Sequence, residues 1–448
     1  MKSGFHLRAS ILLLAALAAL PAAAQIAVRN QGYIPYSDAP INYRSDDISD
    51  PVTLLQKRLE QGKARLQHDG SAHGYLKSVL KLLDIPISSQ TLVFSKTSFQ
   101  YPKISPQHPR ALYFNDDVYI GVVNDGKEIE VVAFDKRQGA IFFILHEQKA
   151  ATPKFERAEL DCTQCHIAAG TRGVPGVLMR SVNPTPTGTL VAGARSYITD
   201  QESPHSERWG GWYVSGDLAL GSMANAIAPA AAAAKSVKLE PLANGFDPAA
   251  YLAPTSDPVA LLVLGHQTQM HNLITLTNYR TRIALHDHAA DSAGASALPD
   301  DVRQKFEKPA EQLLRYLLFA NEAPLPGLDA RKVIADSSFA REFAARGPRD
   351  SRGRSLREFD LHTRTFRYPL SYLIYSEAFD ALPEPSRGLV YGRLLEVLSG
   401  EDQSPEFDSL SASDRRAILE ILLETKSGLP PAWKDYARAN NLRVARAN

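Results

Sequence analysis

Cysteine and methionine are scarce in this chain, and neither sign of charge is in excess. Its 448 residues include two cysteines and four methionines, and the formal net charge is +1 at pH 7. A balanced charge gives no reason to expect nucleic acid or an anionic membrane as a partner. The sequence also lacks an internal repeat, a Ser/His/Asp order, a glycine-rich phosphate loop and a carboxylate motif as specific as the cysteine pair described below.

Long apolar runs are missing as well, except near the N-terminus. Lys2 and Arg8 lead into an apolar run at residues 11–20, and the small residues of a Pro-Ala-Ala-Ala segment follow at 21–24. This order is typical of a secretory signal peptide, and we predict cleavage after Ala24. The run is short for a spanning helix, which argues against a membrane anchor. The sequence therefore predicts export to the periplasm and no membrane span in the mature chain.

The two cysteines stand together in the segment CTQCH at residues 162–166. Two thiols separated by two residues and followed at once by a histidine are the attachment pattern of c-type haem. Each thiol forms a thioether to one porphyrin vinyl group, and the adjacent imidazole ligates the iron from the proximal side. We therefore predict one covalent haem c, held by Cys162 and Cys165, with His166 as the proximal ligand.

Other uses of the cysteine pair fit the sequence less well. A disulfide or a redox dithiol is the main alternative, but a thioredoxin-like site would need a βαβ setting, which the flanking sequence does not indicate. A zinc site would need further Cys or His ligands at paired spacing, and these are missing from the sequence. Haem attachment therefore remains the preferred interpretation.

The periodicity of the chain predicts an α+β protein that is mainly helical. Short apolar runs and an Asn-Asp-Gly turn at residues 124–126 predict an antiparallel β-meander of four or five strands at residues 91–145. Residues 155–225 are rich in Gly, Pro and Arg and show little periodicity, as expected of loops that wrap a flat cofactor. The meander thus lies just ahead of a loop-rich haem segment.

Helical periodicity is present in most of the remaining sequence. The strongest helix signal is at residues 259–285, after the N-cap pair Asp257-Pro258. Other helices are predicted after Asp50-Pro51 and at residues 74–83, 300–320, 366–382, 387–398 and 411–426. We expect four regions: a signal peptide at 1–24, N-terminal helices with the sheet at 25–154, the haem region with a distal helix at 155–290, and a C-terminal helical region at 300–448.

Candidate haem contacts lie in the loop-rich segment. Arginine suits the bidentate recognition of carboxylates, so four arginines are candidates for pairing the haem propionates. They are Arg172, Arg180, Arg195 and Arg208. Three aromatic residues either line the haem pocket or belong to an ordinary core: Trp209, Trp212 and Tyr213.

Six stretches spread over most of the mature chain match one family pattern. They are ALYFNDDVYIGVV at 111–123, CTQCH at 162–166, TRGVPGVLMRSV at 171–182, RWGGWYVSG at 208–216, HQTQMHNLI at 266–274 and FRYPLSYLIYSEAFDALP at 366–383. In these stretches the chain resembles the uncharacterised periplasmic monohaem c-type cytochrome-domain proteins of bacteria. The resemblance implies a haem-binding protein of electron transfer, with no established reaction. The chain departs from the pattern at residues 217–225, where DLALGSMAN lacks the histidines expected ahead of Met-x-Asn.

The sequence leaves the distal iron ligand open. Met223 follows His166 by 57 residues, a separation that resembles the one in small His/Met cytochromes, and it is the preferred distal ligand. Met179 follows by only 13 residues and would need a tight loop. The other candidates are Met270, His266 and His271 on the predicted helix at 259–285 and, more remotely, His205. An open sixth position is a further alternative.

Two classes of function follow, one from a haem with a distal methionine ligand and one from a haem with an open sixth position. In the first, a haem with His166 and Met223 as ligands transfers electrons to an unidentified exported redox partner, and the methionine raises the reduction potential. In the second, the protein is a peroxidase- or oxygenase-like haem enzyme or a small-ligand sensor, with His266 and His271 as distal acid/base candidates. The length of the chain, well beyond that of a bare electron carrier, favours the second class. A docking subunit of a larger exported redox complex is a third interpretation.

Overall fold

An antiparallel sheet with helices on both faces forms the centre of the fold. The structure, a computed structural model, describes residues 34–230, 232, 234, 237–291 and 298–444. The predicted signal peptide at residues 1–24 lies outside the described residues. The predicted α+β class, with helices predominating, is confirmed.

Seven of the strands form the main sheet. In chain order the strands are β1 Thr91–Val93, β2 Arg110–Phe114, β3 Val118–Val122, β4 Glu128–Asp135, β5 Gly139–His146, β6 Glu156–Arg157, β7 Arg180–Ser181, β8 Tyr197–Ile198, β9 Trp212–Tyr213, β10 Ala226–Ile227 and β11 Glu240–Pro241. The sheet has the order β6-β5-β4-β3-β2-β1-β9, while β7 pairs with β8 and β10 with β11. The predicted meander is therefore present as β1 to β5.

The sheet is wider than predicted because the loop-rich segment adds a strand at each edge. Glu156 of β6 pairs with Ile144, and Trp212 of β9 pairs with Val93, both antiparallel. Each added strand is two residues long, too short for an alternating pattern to reveal it in the sequence. The predicted hairpin turn lies between β3 and β4, where Asp125 has a φ of 55°.

The described residues contain eleven α-helices. They are α1 Pro51–Glu60, α2 Leu76–Leu82, α3 Glu159–His166, α4 Pro258–Asp291, α5 Asp300–Leu317, α6 Ala330–Asp336, α7 Ser338–Ala345, α8 Glu377–Asp380, α9 Glu384–Ser399, α10 Ala412–Thr425 and α11 Pro431–Ala439. None of the helices described combines the length and the apolar character that crossing a bilayer requires.

The alternation of side chains gives the sheet two different faces. One row across the strands, Tyr113, Ile120, Val131 and Phe143, belongs to an apolar core shared with α1 and α2. The neighbouring row, Phe114, Tyr119, Val132 and Phe142, packs in a second core with α4 and the C-terminal helices. This second core reaches Trp433 of α11, so one core crosses the sequence-predicted boundaries at 154 and 290.

Helix α4 begins where the sequence predicted. Oδ1 of Asp257 accepts hydrogen bonds from the backbone N–H groups of Val259 and Ala260, each at 3.0 Å, and Pro258 is the first helical residue. The helix continues to Asp291, six residues beyond the predicted end. Its side chains are buried almost all round as far as Tyr279, which is typical of a helix enclosed by other elements.

The predicted helix at residues 366–382 is wrong. This segment contains a 3₁₀ turn at Tyr372–Tyr375 and the four-residue α8. Pro369 cannot continue a helix because it has no N–H donor and its ring clashes with the preceding turn. Ser371 and Ser376 then cap the two short pieces separately, accepting from Leu373 N and Phe379 N. The helices predicted at 300–320, 387–398 and 411–426 are present as α5, α9 and α10.

Candidate cofactor site

A cavity of about 380 Å³ lies between the α4 side of the sheet and helix α3. Val132 and Phe142 of the sheet and Leu264 of α4 contribute apolar wall, and Trp212 of β9 lines it near the sheet edge. The volume lies within the range of about 300–1,000 Å³ that small-molecule and cofactor sites occupy. The cavity thus has the size and the apolar walls of a cofactor site.

The cysteine pair and its histidine all line this cavity. Cys162, Cys165 and His166 belong to α3, where residues three and four apart share one face. Both cysteines are free thiols. Burial raises the pKa of Cys162 to about 12, as expected for a thiol in an apolar wall. The predicted attachment residues are therefore brought together, on a helix that the sequence did not predict.

The His166 ring is held in a fixed orientation. Its Nδ1 lies 2.9 Å from the carbonyl oxygen of Gly176, and its ring centroid lies 5.0 Å from that of Phe142. A hydrogen bond at Nδ1 fixes the tautomer and leaves Nε2 as the nitrogen that can ligate a metal. Desolvation by burial lowers the pKa of His166, which favours the neutral, ligating form.

Helix α4 positions the loop that holds His166. Asn272 donates from Nδ2 to the Val177 carbonyl at 2.8 Å, and its Oδ1 accepts from the Val177 N–H at 3.2 Å. Gly176 is needed for this approach, because a Cβ there would lie 2.0 Å from Oδ1 of Asn272. Asn272 therefore supports the imidazole indirectly, by holding the loop whose Gly176 carbonyl oxygen bonds His166.

Of the three candidate methionines, the cavity contains Met179. Its side chain is buried, and it follows the His166-bonded Gly176 by three residues. Met223 does not line the cavity: its sulfur accepts a hydrogen bond from Ser181 Oγ at 3.5 Å, and its methyl group lies against Gly210. Met270 is buried on α4, outside the cavity lining. Met223 as an iron ligand stays a prediction, and the geometry favours Met179.

The candidate histidines are bonded elsewhere. His266 places Nδ1 2.5 Å from Gln201 Oε1 and Nε2 2.8 Å from Ser371 Oγ. His271 places Nε2 2.7 Å from the Asp116 carbonyl oxygen. His205 bonds the Leu220 carbonyl oxygen and contacts the Trp209 ring by an edge. None of these imidazoles is among the described side chains that line the cavity.

Replacing His266 by glutamine is expected to make the free energy of unfolding less sensitive to acid. Burial lowers the pKa of His266 from 6.5 to about 3, so the unfolded chain takes up the proton first as the pH falls. The contribution of neutral His266 to the free energy of unfolding is therefore lost from about pH 6.5 downward, until the folded-state pKa is reached. Between pH 7 and pH 5 the unchanged protein should lose about 2 kcal/mol more than the variant in urea unfolding.

A matched control for this experiment lies on the same helix. His286 of α4 is exposed, so His286→Gln removes an imidazole from the same helix without opening the core. If His266→Gln and His286→Gln show the same loss between pH 7 and pH 5, His266 is not a buried, neutral side chain.

None of the four arginines proposed from the sequence is among the described residues that line the cavity. Arg208 is buried and donates to the Ser203 and Gln201 carbonyl oxygens, so its role is to hold a loop. Arg172 donates to Gln269, Arg180 to Ser196, and Arg195 lies over the Tyr197 ring. The positively charged residues that do line the cavity are Arg110 and Lys96.

Arg110 could have been found by alternation along β2. It stands in phase with Leu112 and Phe114, at a position whose side chain points to the α4 side of the sheet. Of the three candidate aromatic residues, Trp212 lines the cavity and donates to the Arg180 carbonyl oxygen at 2.7 Å. Trp209 and Tyr213 are buried in the cores instead.

Comparison with known proteins gives no match. No family model, no curated protein and no solved structure matches this chain. Within the described ranges, no group of three or more His, Cys, Asp or Glu side chains is arranged to hold a metal ion by itself. The chemistry of the site therefore has to be inferred from the cysteine pair, His166 and the cavity they line.

Proposed function

We propose that this protein is an exported monohaem c-type cytochrome that transfers electrons, as its resemblance to the periplasmic monohaem cytochrome-domain proteins implies. The observation that carries the proposal is the convergence of Cys162, Cys165 and His166 on one cavity of about 380 Å³. The two cysteines are the only ones in the chain. The residues that line the cavity are of the types that haem c requires: two thiols, one imidazole and apolar walls.

The two cysteines and the histidine of α3 have separate roles in this proposal. Cys162 and Cys165 would tether the cofactor at two points one helical turn apart, and His166 would present Nε2 to its iron. Haem supplies one-electron chemistry between the ferrous and ferric states. The Gly176 carbonyl holds the imidazole in orientation, and Phe142 and Leu264 keep water from the site.

Met179 is our choice for the distal thioether. It lines the same cavity as His166, and its buried side chain lies on the loop that Asn272 fixes to α4. A methionine ligand raises the reduction potential of a His-ligated haem and occupies the position where a substrate would bind. Met179 therefore supports electron transfer over an open-site enzyme.

The cellular setting belongs to the same proposal. The N-terminal signal at residues 1–24 predicts export, and c-type haem is attached on the exported side of the membrane. The two features support a periplasmic location and a redox partner that is also exported.

An absorption spectrum with and without carbon monoxide tests the function. Protein made with a cytochrome c maturation system is expected to be low-spin, with a weak ferric charge-transfer band near about 695 nm. The ferrous form should not bind carbon monoxide, because the thioether fills the distal position. A high-spin protein that binds carbon monoxide readily would favour the haem enzyme or sensor instead.

A further inference from the structure

Arg110 is a charged residue in the wall of an otherwise largely apolar cavity. Its side chain is 18% exposed and extends from β2 across Gly121 of the neighbouring strand. A Cβ at Gly121 would lie 2.1 Å from Nη2 of Arg110, so only glycine leaves room for the guanidinium there. The sheet is thus shaped to hold this guanidinium against the cavity.

Glu130 of β4 pairs with one edge of the Arg110 guanidinium through Nη2. The Glu130 carboxylate also accepts from Ser98 Oγ at 2.7 Å and Gln100 Nε2 at 2.9 Å, so several donors stabilise its charge. These bonds bring the segment that contains Lys96 and Ser98 next to the ion pair, and both residues line the cavity. Arg110 is therefore fixed in position, and a second positively charged residue, Lys96, lines the same cavity.

One donor of the Arg110 guanidinium has no acceptor among the described residues. Nε of Arg110 is buried and has no hydrogen-bond partner within the described part of the chain. A buried donor left unpaired destabilises the folded state, and more so when the group is charged. An unpaired buried donor in a native protein requires an explanation, and a ligand in the cavity that Arg110 lines would be one source of an acceptor.

We infer that Arg110, with Lys96 in the same cavity lining, receives a carboxylate of the cavity ligand. This inference rests on the proposed function, under which the ligand is haem and the carboxylate is one of its propionates. A guanidinium offers Nε–H and Nη–H in one plane, which matches the two oxygens of a carboxylate. Glu130 pairs with Nη2 of the guanidinium, so the propionate would accept from the donors that Glu130 leaves unpaired.

The test compares three variants of the haem-loaded protein with a control. Arg110→Gln removes the charge, Arg110→Lys keeps the charge without the planar fork, and Gly121→Ala pushes the guanidinium aside. Arg180→Gln is the control, because Arg180 is exposed and bonds Ser196 outside the cavity. The measurements are haem content by the pyridine haemochrome, the midpoint potential, and the propionate bending band in resonance Raman spectra.

We expect all four proteins to keep their covalent haem. In Arg110→Gln the loss of a positive charge near the ring favours the ferric form, and at a fixed solution potential the ferric-to-ferrous ratio should rise about tenfold. Arg110→Lys should keep most of the potential but shift the propionate band, since lysine offers no planar pair of donors. Gly121→Ala should shift the same band, and Arg180→Gln should change neither measurement.

The outcomes separate this inference from the function on which it rests. An unchanged propionate band in both Arg110 variants, or equal potential changes in Arg110→Gln and Arg180→Gln, overturns the inference while the haem content still supports a cytochrome. Protein without covalent haem overturns the proposed function and the propionate assignment together. If Arg110→Gln does not fold, the band of Arg110→Lys, which keeps the pairing charge for Glu130, decides.

Discussion

Protein with serine at both Cys162 and Cys165 is expected to release all of its haem into acid acetone, whereas the unchanged protein retains it. The two thiols are the only groups in the chain that can form thioethers to porphyrin vinyl groups. The single variants keep one tether each and should retain less haem than the unchanged protein. On the proposed function the cavity walls pack around the haem, so the double variant should also unfold at lower urea concentration.

A substitution inside the same helical turn serves as the control. Gln164 lies between the two cysteines of α3 and is exposed, so Gln164→Ser should leave haem retention and the urea midpoint unchanged. Unchanged protein that is colourless, or that gives up its haem to acid acetone, would refute covalent attachment. Loss of haem in Gln164→Ser as well would mean that the helix, and not the thiols, determines retention.

Met179→Ala is expected to abolish the band near about 695 nm and to open the ferrous iron to carbon monoxide. The thioether is the proposed distal ligand, and alanine provides no atom that can replace it. The truncation also removes buried volume, which costs about 2–5 kcal/mol of stability. Met179→Leu nearly preserves the volume and removes only the sulfur, so it should lose the band with a smaller loss of stability.

The other two methionines are the controls for this experiment. Met223→Ala and Met270→Ala should keep the band, because neither side chain lines the cavity. If Met223→Ala removes the band and Met179→Ala does not, the ligand preferred from the sequence is right and Met179 belongs to the cavity wall. If Met270→Ala removes it, α4 supplies the distal ligand.

The grouping of Cys162, Cys165 and His166 could be predicted from the sequence, but the cavity that they line could not. Five residues at 162–166 predict both tethers and the proximal ligand, because their spacing along the chain decides their geometry. Met179 ranked low because a separation of 13 residues suggested a strained loop. The hydrogen bond between the Gly176 carbonyl oxygen and His166 brings this loop back towards the imidazole. The loop is held in turn by Asn272, which lies 96 residues beyond Gly176.

The same limit applies to Arg110 and to the sheet edge. Alternation shows which residues of β2 share a face, but only the pairing of the strands shows that this face meets α3 and α4. Trp212 enters the lining because β9 pairs with β1, more than a hundred residues earlier in the chain. Such distant pairings leave no periodic signal in the sequence.

The part that α4 plays in closing the cavity sets an order for maturation. Leu264 and Thr268 of α4 line the cavity, yet they follow the cysteine pair by about a hundred residues. In an exported chain that emerges N-terminus first, α3 is outside the membrane while α4 is still in transit. During that interval the thiols of Cys162 and Cys165 face no α4, and a haem can reach them from the open side. On the proposed function, docking of α4 is thus the step that closes this side of the cavity, and entry of the haem from that side precedes it.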